Sequence, residues 1–132
     1  MCVFCQIISQ EIPAYRVYED EKTLAFLDNH PTSPGHTLVV PKSHYANLEE
    51  ISDEDLAALI STVKKVGRLL KDKLGIAGYN VNENNDPVAG QVVNHLHFHV
   101  IPRTENDGLT LWQGNDYKPG EVEDLINKLT SL

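Results

Sequence analysis

The stretch that decides the fold is His95-Leu96-His97-Phe98-His99-Val100-Ile101, in which histidine alternates with apolar residues. A β-strand sends successive side chains to opposite faces, so the pattern predicts a strand with three imidazoles on one face and Leu96, Phe98 and Val100 on the other. The apolar face can pack on a core while the imidazoles line a cleft. Imidazole serves as a nucleophile, acid, base or metal ligand near neutral pH. Half of the chain's six histidines lie here, which favours a functional site over a solvated strand face.

The composition is typical of one globular domain spanning residues 1–132. The chain is 41% hydrophobic and 23% charged, as in ordinary soluble proteins. No apolar run approaches the roughly 20 residues of a membrane helix, and residues 1–5 lack the basic and apolar regions of a secretory signal. We therefore expect a cytoplasmic protein without a membrane partner. The net charge of −8 argues against binding a nucleic acid polymer, which needs a basic surface.

Local patterns predict an α+β protein whose antiparallel sheet has about five strands. The predicted strands cover residues 15–18, 23–27, 36–40, 79–82 and 96–101. Short helices are predicted near both termini, over residues 4–9 and 120–132. One long helix is predicted from the N-cap Ser52 to Gly75. Its core-facing stripe recurs at helical spacing and comprises Leu56, Leu59, Ile60, Val63, Val66, Leu70 and Leu74.

A polar, glycine-containing loop, residues 84–91, runs into the histidine strand. Such a loop can direct backbone N–H groups and amide side chains at an oxyanion. Beside a row of imidazoles, this arrangement suits phosphate better than a neutral substrate. We therefore expect a small phosphate-containing ligand at this end of the sheet.

The alternating histidines match the His-φ-His-φ-His-φ-φ signature of the histidine triad (HIT) family. Further stretches look like family landmarks in family order, namely residues 5–8, 12–14, 25–28, 34–44 and 89–91. The ending Ile101-Pro102-Arg103 is similar to the bacterial branch of the family. The resemblance covers most of the chain and implies the HIT fold and a homodimer in which two sheets join.

The resemblance also implies a nucleotide hydrolase or transferase that acts at the α-phosphate of a nucleoside 5′-phosphate derivative, such as a phosphoramidate or a dinucleoside polyphosphate. His97 matches the family nucleophile, which forms a nucleotidyl-histidine that water then cleaves. Three other residues match catalytic positions, namely His99, Gln91 and His36. Of these, His99 and Gln91 would contact phosphate together with Asn84.

The nucleoside would be held by a carboxylate and an apolar pocket. By resemblance, Asp28 would accept hydrogen bonds from the ribose hydroxyls. The base, usually a purine, would lie in a pocket formed by Val3, Phe4, Ile7 and Phe26.

Two residues depart from the family pattern. Val92 stands where the Hint branch has a serine that helps the leaving group, and Asp86 stands where glycine is common in the phosphate loop. A carboxylate at position 86 would repel phosphate unless it points outward.

Cys2-x-x-Cys5 is a candidate half of a zinc site, since cysteines in a reducing compartment are more often free or metal-bound than disulfide-bonded. Some bacterial HIT proteins complete such a site with a histidine after the Pro-Lys turn and with the first triad histidine. Those positions here are His44 and His95. Two thiolates and two imidazoles would form a closed tetrahedral Zn²⁺ site that holds the N-terminal helix on the sheet.

Two other functions stay open at this point. The triad itself could hold a catalytic zinc ion, but alternate strand residues lie about 6.6–6.8 Å apart, so three imidazoles on one ion would require a bent strand. The chain could instead be a nucleotide-binding sensor or adaptor with little turnover. Such a protein would keep the Asp28 pocket and tolerate the loss of His97.

Overall fold

The structure is a computed structural model that describes residues 2–131. Within these residues, three α-helices and a short 3₁₀ helix accompany one five-stranded antiparallel sheet with the strand order β1-β2-β3-β5-β4. The elements are α1 (Val3–Ile8), β1 (Arg16–Glu19), β2 (Thr23–Leu27), β3 (Thr37–Pro41), α2 (Asp53–Leu74), β4 (Gly78–Glu83), the 3₁₀ helix (Pro87–Ala89), β5 (Phe98–Arg103) and α3 (Glu121–Thr130). The predicted α+β class is confirmed.

Helix α2 begins and ends where the sequence predicts. The Ser52 hydroxyl accepts the Asp55 N–H at 3.2 Å, and Gly75 ends the helix at a φ of +64°, a conformation that glycine adopts without strain. The buried side is narrower than predicted, because Ile60 lies at the edge of the stripe and Leu74 in the last turn. These two side chains are 46% and 55% exposed.

The sheet separates two apolar clusters. One lies under α2 and includes Val39, Val66, Leu96, Phe98 and Val100. The other lies under α1 and includes Phe4, Ile7, Leu24, Phe26, Leu38 and Val40. Because Leu96, Phe98 and Val100 belong to the first cluster, the triad histidines lie on the α1 side. The Phe4 ring accordingly packs 5.9 Å from the His95 ring and 5.1 Å from the His97 ring, measured between centroids.

Strand β5 begins at Phe98, two residues later than predicted. Its pairing with β3 runs Thr37 with Val100 and Val39 with Phe98, so the next pair in register would be Pro41 with Leu96. Proline has no N–H to donate to a sheet, and the Leu96 N–H bonds instead to the Tyr45 carbonyl at 2.7 Å. His95 and His97 therefore precede the strand, although side chains still alternate between the two faces.

The segment after β5 is exposed. No residue of α3 is buried, and Leu111 and Trp112 are 69% and 92% exposed. The apolar residues of α3, Val122, Leu125, Ile126 and Leu129, are all exposed. No described helix is both long and apolar enough to cross a membrane.

Candidate active site and metal centre

A cavity of ≈ 470 Å³ opens beside His97 and His99, and we call it the histidine cavity. Seven of the predicted site residues line it besides His97, namely Val3, Phe4, Ile7, Phe26, Asp28, Asn84 and His99. Residues that the sequence analysis did not assign to the site also line it, namely Asn29, His30, Leu38, Gly90 and Val93, together with Val92.

His97 is held as a neutral imidazole with one free nitrogen. Its Nδ1 lies 2.8 Å from the His95 carbonyl oxygen, to which the ring must donate its proton. The other nitrogen, Nε2, therefore carries a lone pair. Burial of the ring, which is 7% exposed, lowers the pKa of His97. The arrangement presents a deprotonated nitrogen nucleophile at neutral pH.

Two hydrogen bonds assign the proton of His99. The Thr32 N–H donates to His36 Nδ1 at 3.0 Å, so the proton of a neutral His36 ring lies on Nε2. That nitrogen lies 2.9 Å from His99 Nδ1 and donates to it. His99 therefore carries its own proton on Nε2, where it can donate a hydrogen bond to a ligand.

Burial also keeps His99 and His36 neutral. Burial and the neighbouring His97 and His36 lower the pKa of His99 to about 4, and burial lowers the pKa of His36. Both His36 nitrogens are engaged by protein groups. The structure thus places His36 behind His99, as a residue that orients it, rather than at the cavity surface.

The Gln91 amide does not point into the histidine cavity, in contrast to its predicted phosphate contact. Its Oε1 accepts the Asp86 N–H at 2.8 Å. Its Nε2 donates to the carbonyls of Ala46 and Val93 at 2.6 and 3.2 Å. Gln91 therefore ties the polar loop to the chain before α2 and fixes the loop's shape.

The two departures from the family pattern have different surroundings. Val92 lines the histidine cavity and is 92% exposed. Asp86 is exposed and is not among the residues that line the cavity. Its backbone has a φ of +75° and a ψ of 152°, a conformation that is otherwise almost confined to glycine.

The four predicted zinc ligands lie together beside α1. The ligand atoms of Cys2, Cys5, His44 and His95 all lie within 4.8 Å of one another. The distances from Cys2 Sγ to His95 Nδ1 and from Cys5 Sγ to His44 Nδ1 are both 3.4 Å, and the two Nδ1 atoms lie 3.1 Å apart. A tetrahedral Zn²⁺ ion with ordinary bond lengths sets its ligand atoms about 3.3–3.8 Å apart, so the donor set fits zinc.

His95 also has the outer hydrogen bond that metal-bound histidines commonly make. Its second nitrogen, Nε2, lies 2.9 Å from the Pro41 carbonyl oxygen and donates to it. This bond leaves Nδ1 unprotonated and available to a metal ion.

A second group of potential ligand atoms belongs to Asp28, His36 and His99. A metal ion on His36 Nε2 would displace the proton from that nitrogen. The Thr32 N–H already occupies Nδ1, so the ring would have no proton on either nitrogen. Moreover, His95 and His99 belong to different groups and His97 to neither. This geometry speaks against a catalytic zinc ion held by the triad.

A second cavity of ≈ 280 Å³ adjoins the first, and we call it the apolar cavity. Val3, Ile7, Phe26 and Asn29 line both cavities. The remaining walls of the apolar cavity come from Ile12, Pro13, Ala14, Tyr15 and Leu27. The two cavities share a wall, and we call them together the cleft, with imidazoles lining the histidine cavity and mostly apolar side chains lining the apolar cavity.

Known proteins resemble the chain over almost its full length. The family model of the HIT domain matches residues 9–106. A HIT-like protein of Methanocaldococcus jannaschii is 59% identical over 129 residues, which cover 98% of each chain. The chain belongs to the HIT family. An adenosine 5′-monophosphoramidase of Schizosaccharomyces pombe is 42% identical to this HIT protein over 132 residues, covering 98% of this chain and 96% of the relative.

A solved structure supports the same conclusion for the fold. The crystal structure of a Zn-bound histidine triad family protein from Mycobacterium smegmatis matches with a TM-score of 0.79 and 39% identity. The match covers 87% of this HIT protein and 84% of that chain.

The HIT signature identifies the imidazole-lined end of the cleft more completely than its apolar end. Ile12, Tyr15 and Leu27 look like ordinary core or strand residues in the sequence, and only the packing of α1 against β2 makes them cavity walls. Asn29 and His30 lie in a segment dense in turn formers. Their position directly after Asp28 is the only signal that could have assigned them to the site.

Proposed function

We propose that this HIT protein is a hydrolase that cleaves nucleoside 5′-phosphate derivatives at the α-phosphate, with phosphoramidates as the favoured class. The observation that carries the proposal is the buried His97 ring, whose Nδ1 bonds to the His95 carbonyl at 2.8 Å and leaves Nε2 free. The similarity to the S. pombe phosphoramidase supports the same substrate class. The ligand is a small-molecule nucleotide, with a purine base favoured by the apolar end of the cleft.

The reaction would proceed in two displacements. His97 Nε2 attacks the α-phosphorus, and the P–N or P–O bond to the leaving group breaks. The leaving group takes the electron pair of that bond and a proton from water, and the nucleotide stays on His97. A water molecule then attacks phosphorus and loses a proton to solvent, the P–Nε2 bond breaks with its electron pair returning to His97, and the nucleoside monophosphate leaves. The Nε2–H of His99 would donate to an oxygen of the phosphoryl group as negative charge develops there.

The test is a panel of nucleoside phosphoramidates and dinucleoside polyphosphates assayed with native protein and with His97→Ala. We expect the variant to lose about a thousandfold or more in kcat while its thermal unfolding is unchanged. Acid-quenched native protein should contain a nucleotidyl adduct that the variant lacks. Near-native turnover by His97→Ala would refute the proposal. Tight binding of nucleotides without turnover of any panel member would instead establish the sensor or adaptor function.

Asp28 is proposed to bind the ribose diol. Its carboxylate lines the histidine cavity, and its Oδ1 is held by the His30 N–H at 2.8 Å. Asp28→Ala should weaken binding of ribonucleotides much more than binding of the 2′,3′-dideoxy analogues. Equal losses for both sugars would argue against the contact.

We further propose one structural zinc ion per chain, bound by Cys2, Cys5, His44 and His95. The ligand distances and the His95–Pro41 hydrogen bond support it, as does the Zn-bound M. smegmatis relative. Bound zinc would hold α1 on the sheet and would carry no step of the reaction. Metal analysis of protein purified without added zinc should give about one equivalent, and His44→Ala should lower both the zinc content and the melting temperature. A metal content near zero, with both thiols freely titratable in folded protein, would exclude the site.

A homodimer is proposed on the family resemblance and on the position of β4. This strand is at one edge of the sheet, and its Val81 side chain is 42% exposed. An unpaired edge can join the same edge of a second copy. Light scattering coupled to size-exclusion chromatography should give twice the chain mass of 14.8 kDa, and a single-chain mass would refute the dimer.

A further inference from the structure

Asn29 is the polar residue on the wall that the two cavities share. Val3, Ile7, Phe26 and Asn29 line both cavities. Of these four residues, Asn29 is the one whose side chain can donate and accept hydrogen bonds. A ligand that occupies both cavities would lie against this residue.

The turn after β2 determines where Asn29 lies along a bound nucleotide. Asp28 Oδ1 accepts the His30 N–H at 2.8 Å, and the Asp28 N–H donates to the His36 carbonyl at 2.9 Å. These bonds hold the turn in place. Asp28 lines the histidine cavity and Leu27 the apolar cavity, whereas Asn29 lines both. With phosphate at His97 and ribose at Asp28, the base enters the apolar cavity and its edge lies beside Asn29.

We infer that Asn29 is a specificity residue that selects adenine by pairing its carboxamide with the edge of the base. The inference rests on the proposed nucleotide function. No residue with a charged side chain is among those that line the apolar cavity, which suits an uncharged ring. A carboxamide presents an acceptor beside a donor, and adenine presents the complementary amino donor beside a ring-nitrogen acceptor. A purine without the amino group would leave Asn29 Oδ1 without this donor.

The test compares adenosine 5′-monophosphate with purine riboside 5′-monophosphate, which lacks only the amino group. Their affinities are measured by calorimetry for the native protein, for Asn29→Leu and for Tyr15→Phe. Leucine keeps the size of the side chain and removes both hydrogen-bonding groups. Tyr15→Phe is the matched control, because its hydroxyl is the other side-chain hydrogen-bonding group among the residues lining the apolar cavity.

The native protein should bind the adenine nucleotide about fivefold to tenfold more tightly than the purine analogue. In Asn29→Leu this ratio should fall to about one, whereas Tyr15→Phe should keep the native ratio. With phosphoramidate substrates, Asn29→Leu should raise KM for adenosine and leave kcat within about twofold, since it leaves the reacting groups in place.

Two outcomes would overturn the inference. One is a native affinity ratio near one, and the other is an unchanged ratio in Asn29→Leu, which, if both nucleotides bind equally more weakly, would indicate a structural role for the turn. Failure of the hydrolase proposal gives a different result. Native protein would then retain the affinity ratio but turn over no phosphoramidate.

Discussion

At the scale of single residues, hydrogen bonds to the backbone decide what each active-site imidazole can do. The His95 carbonyl fixes the proton of His97 on Nδ1, and the Thr32 N–H sets the proton of His99 through His36. One ring therefore presents a lone pair and its neighbour a donor. His97 bonds to a carbonyl two residues earlier in the chain, whereas His99 Nδ1 bonds to the His36 ring, which only the fold brings near.

The lowered pKa of His99, about 4 against an ordinary 6.5, predicts a pH dependence of stability. Between these values, the unfolded chain binds a proton at this position more readily than the folded chain does. The free energy of unfolding should therefore fall as the pH decreases from about 6.5 to about 4, by at most about 1.4 kcal/mol per pH unit from this group. Above this window the ring is neutral in both states and contributes no slope.

The measurement is urea unfolding of native protein and of His99→Asn between pH 7 and pH 5. The native protein should lose more stability over this range than the variant, because the variant has no titrating group at position 99. Contributions from the candidate zinc ligands are present in both proteins and cancel in the difference. Parallel pH profiles would contradict the prediction.

Asp86 is a strained residue whose replacement by glycine should stabilise the protein. A residue with a Cβ atom at φ +75° and ψ 152° costs about 1–3 kcal/mol. Glycine removes this strain, but part of the stabilisation is lost because glycine also makes the unfolded chain more flexible. Asp86→Gly should therefore raise the free energy of unfolding by about 1 kcal/mol. Asp86→Asn, which removes the charge but keeps the Cβ atom, is the control and should change stability by less than about 0.5 kcal/mol.

At the scale of elements, β5 differs most from its predicted bounds, and a partner strand determines where it starts. Alternation of side chains correctly predicts the buried face of the histidine stretch. An extended chain alternates its side chains between two faces even where it makes no hydrogen bonds to a neighbouring strand. The ladder itself starts later, since the next pair in register between β3 and β5 would join Leu96 to Pro41, which has no N–H. Pro41 is visible in the sequence, but only the strand register shows that it falls opposite Leu96 and ends the ladder.

The contact of α2 with β4 depends on Gly67, although glycine has a low helix propensity. A Cβ atom built at position 67 would overlap the ring of Tyr79. Gly67→Ala should therefore lower the free energy of unfolding by about 1–2 kcal/mol, because overpacking outweighs the higher helix propensity of alanine. Chemical denaturation measures this change. Adding Tyr79→Leu to the variant should restore part of the loss, whereas a more stable Gly67→Ala protein would show that the ring moves aside freely.

At the scale of the whole molecule, long-range contacts determine the walls of the cleft, which the sequence alone does not predict. The α+β class follows from local patterns, since turn formers and apolar periodicity mark the successive elements. The cleft does not follow from them, because its walls come from α1, β2, the turn after β2 and the polar loop. The alternating pattern alone places His97 in a functional site, but the sequence brings Asp28 into it only through family resemblance. It gives no indication that Gln91 bonds to the chain before α2.

The C-terminal helix is outside the folded core, which leads to a prediction for the whole molecule. Residues 121–130 include no buried side chain, so deleting residues 120–132 removes little apolar burial. The proposed dimer joins β4 edges and does not require α3. The truncated protein should therefore keep its dimeric mass and its melting temperature to within about 2 °C. Conversion to a monomer on truncation would place the dimer contact on α3, with its exposed Val122, Leu125, Ile126 and Leu129, instead of on β4.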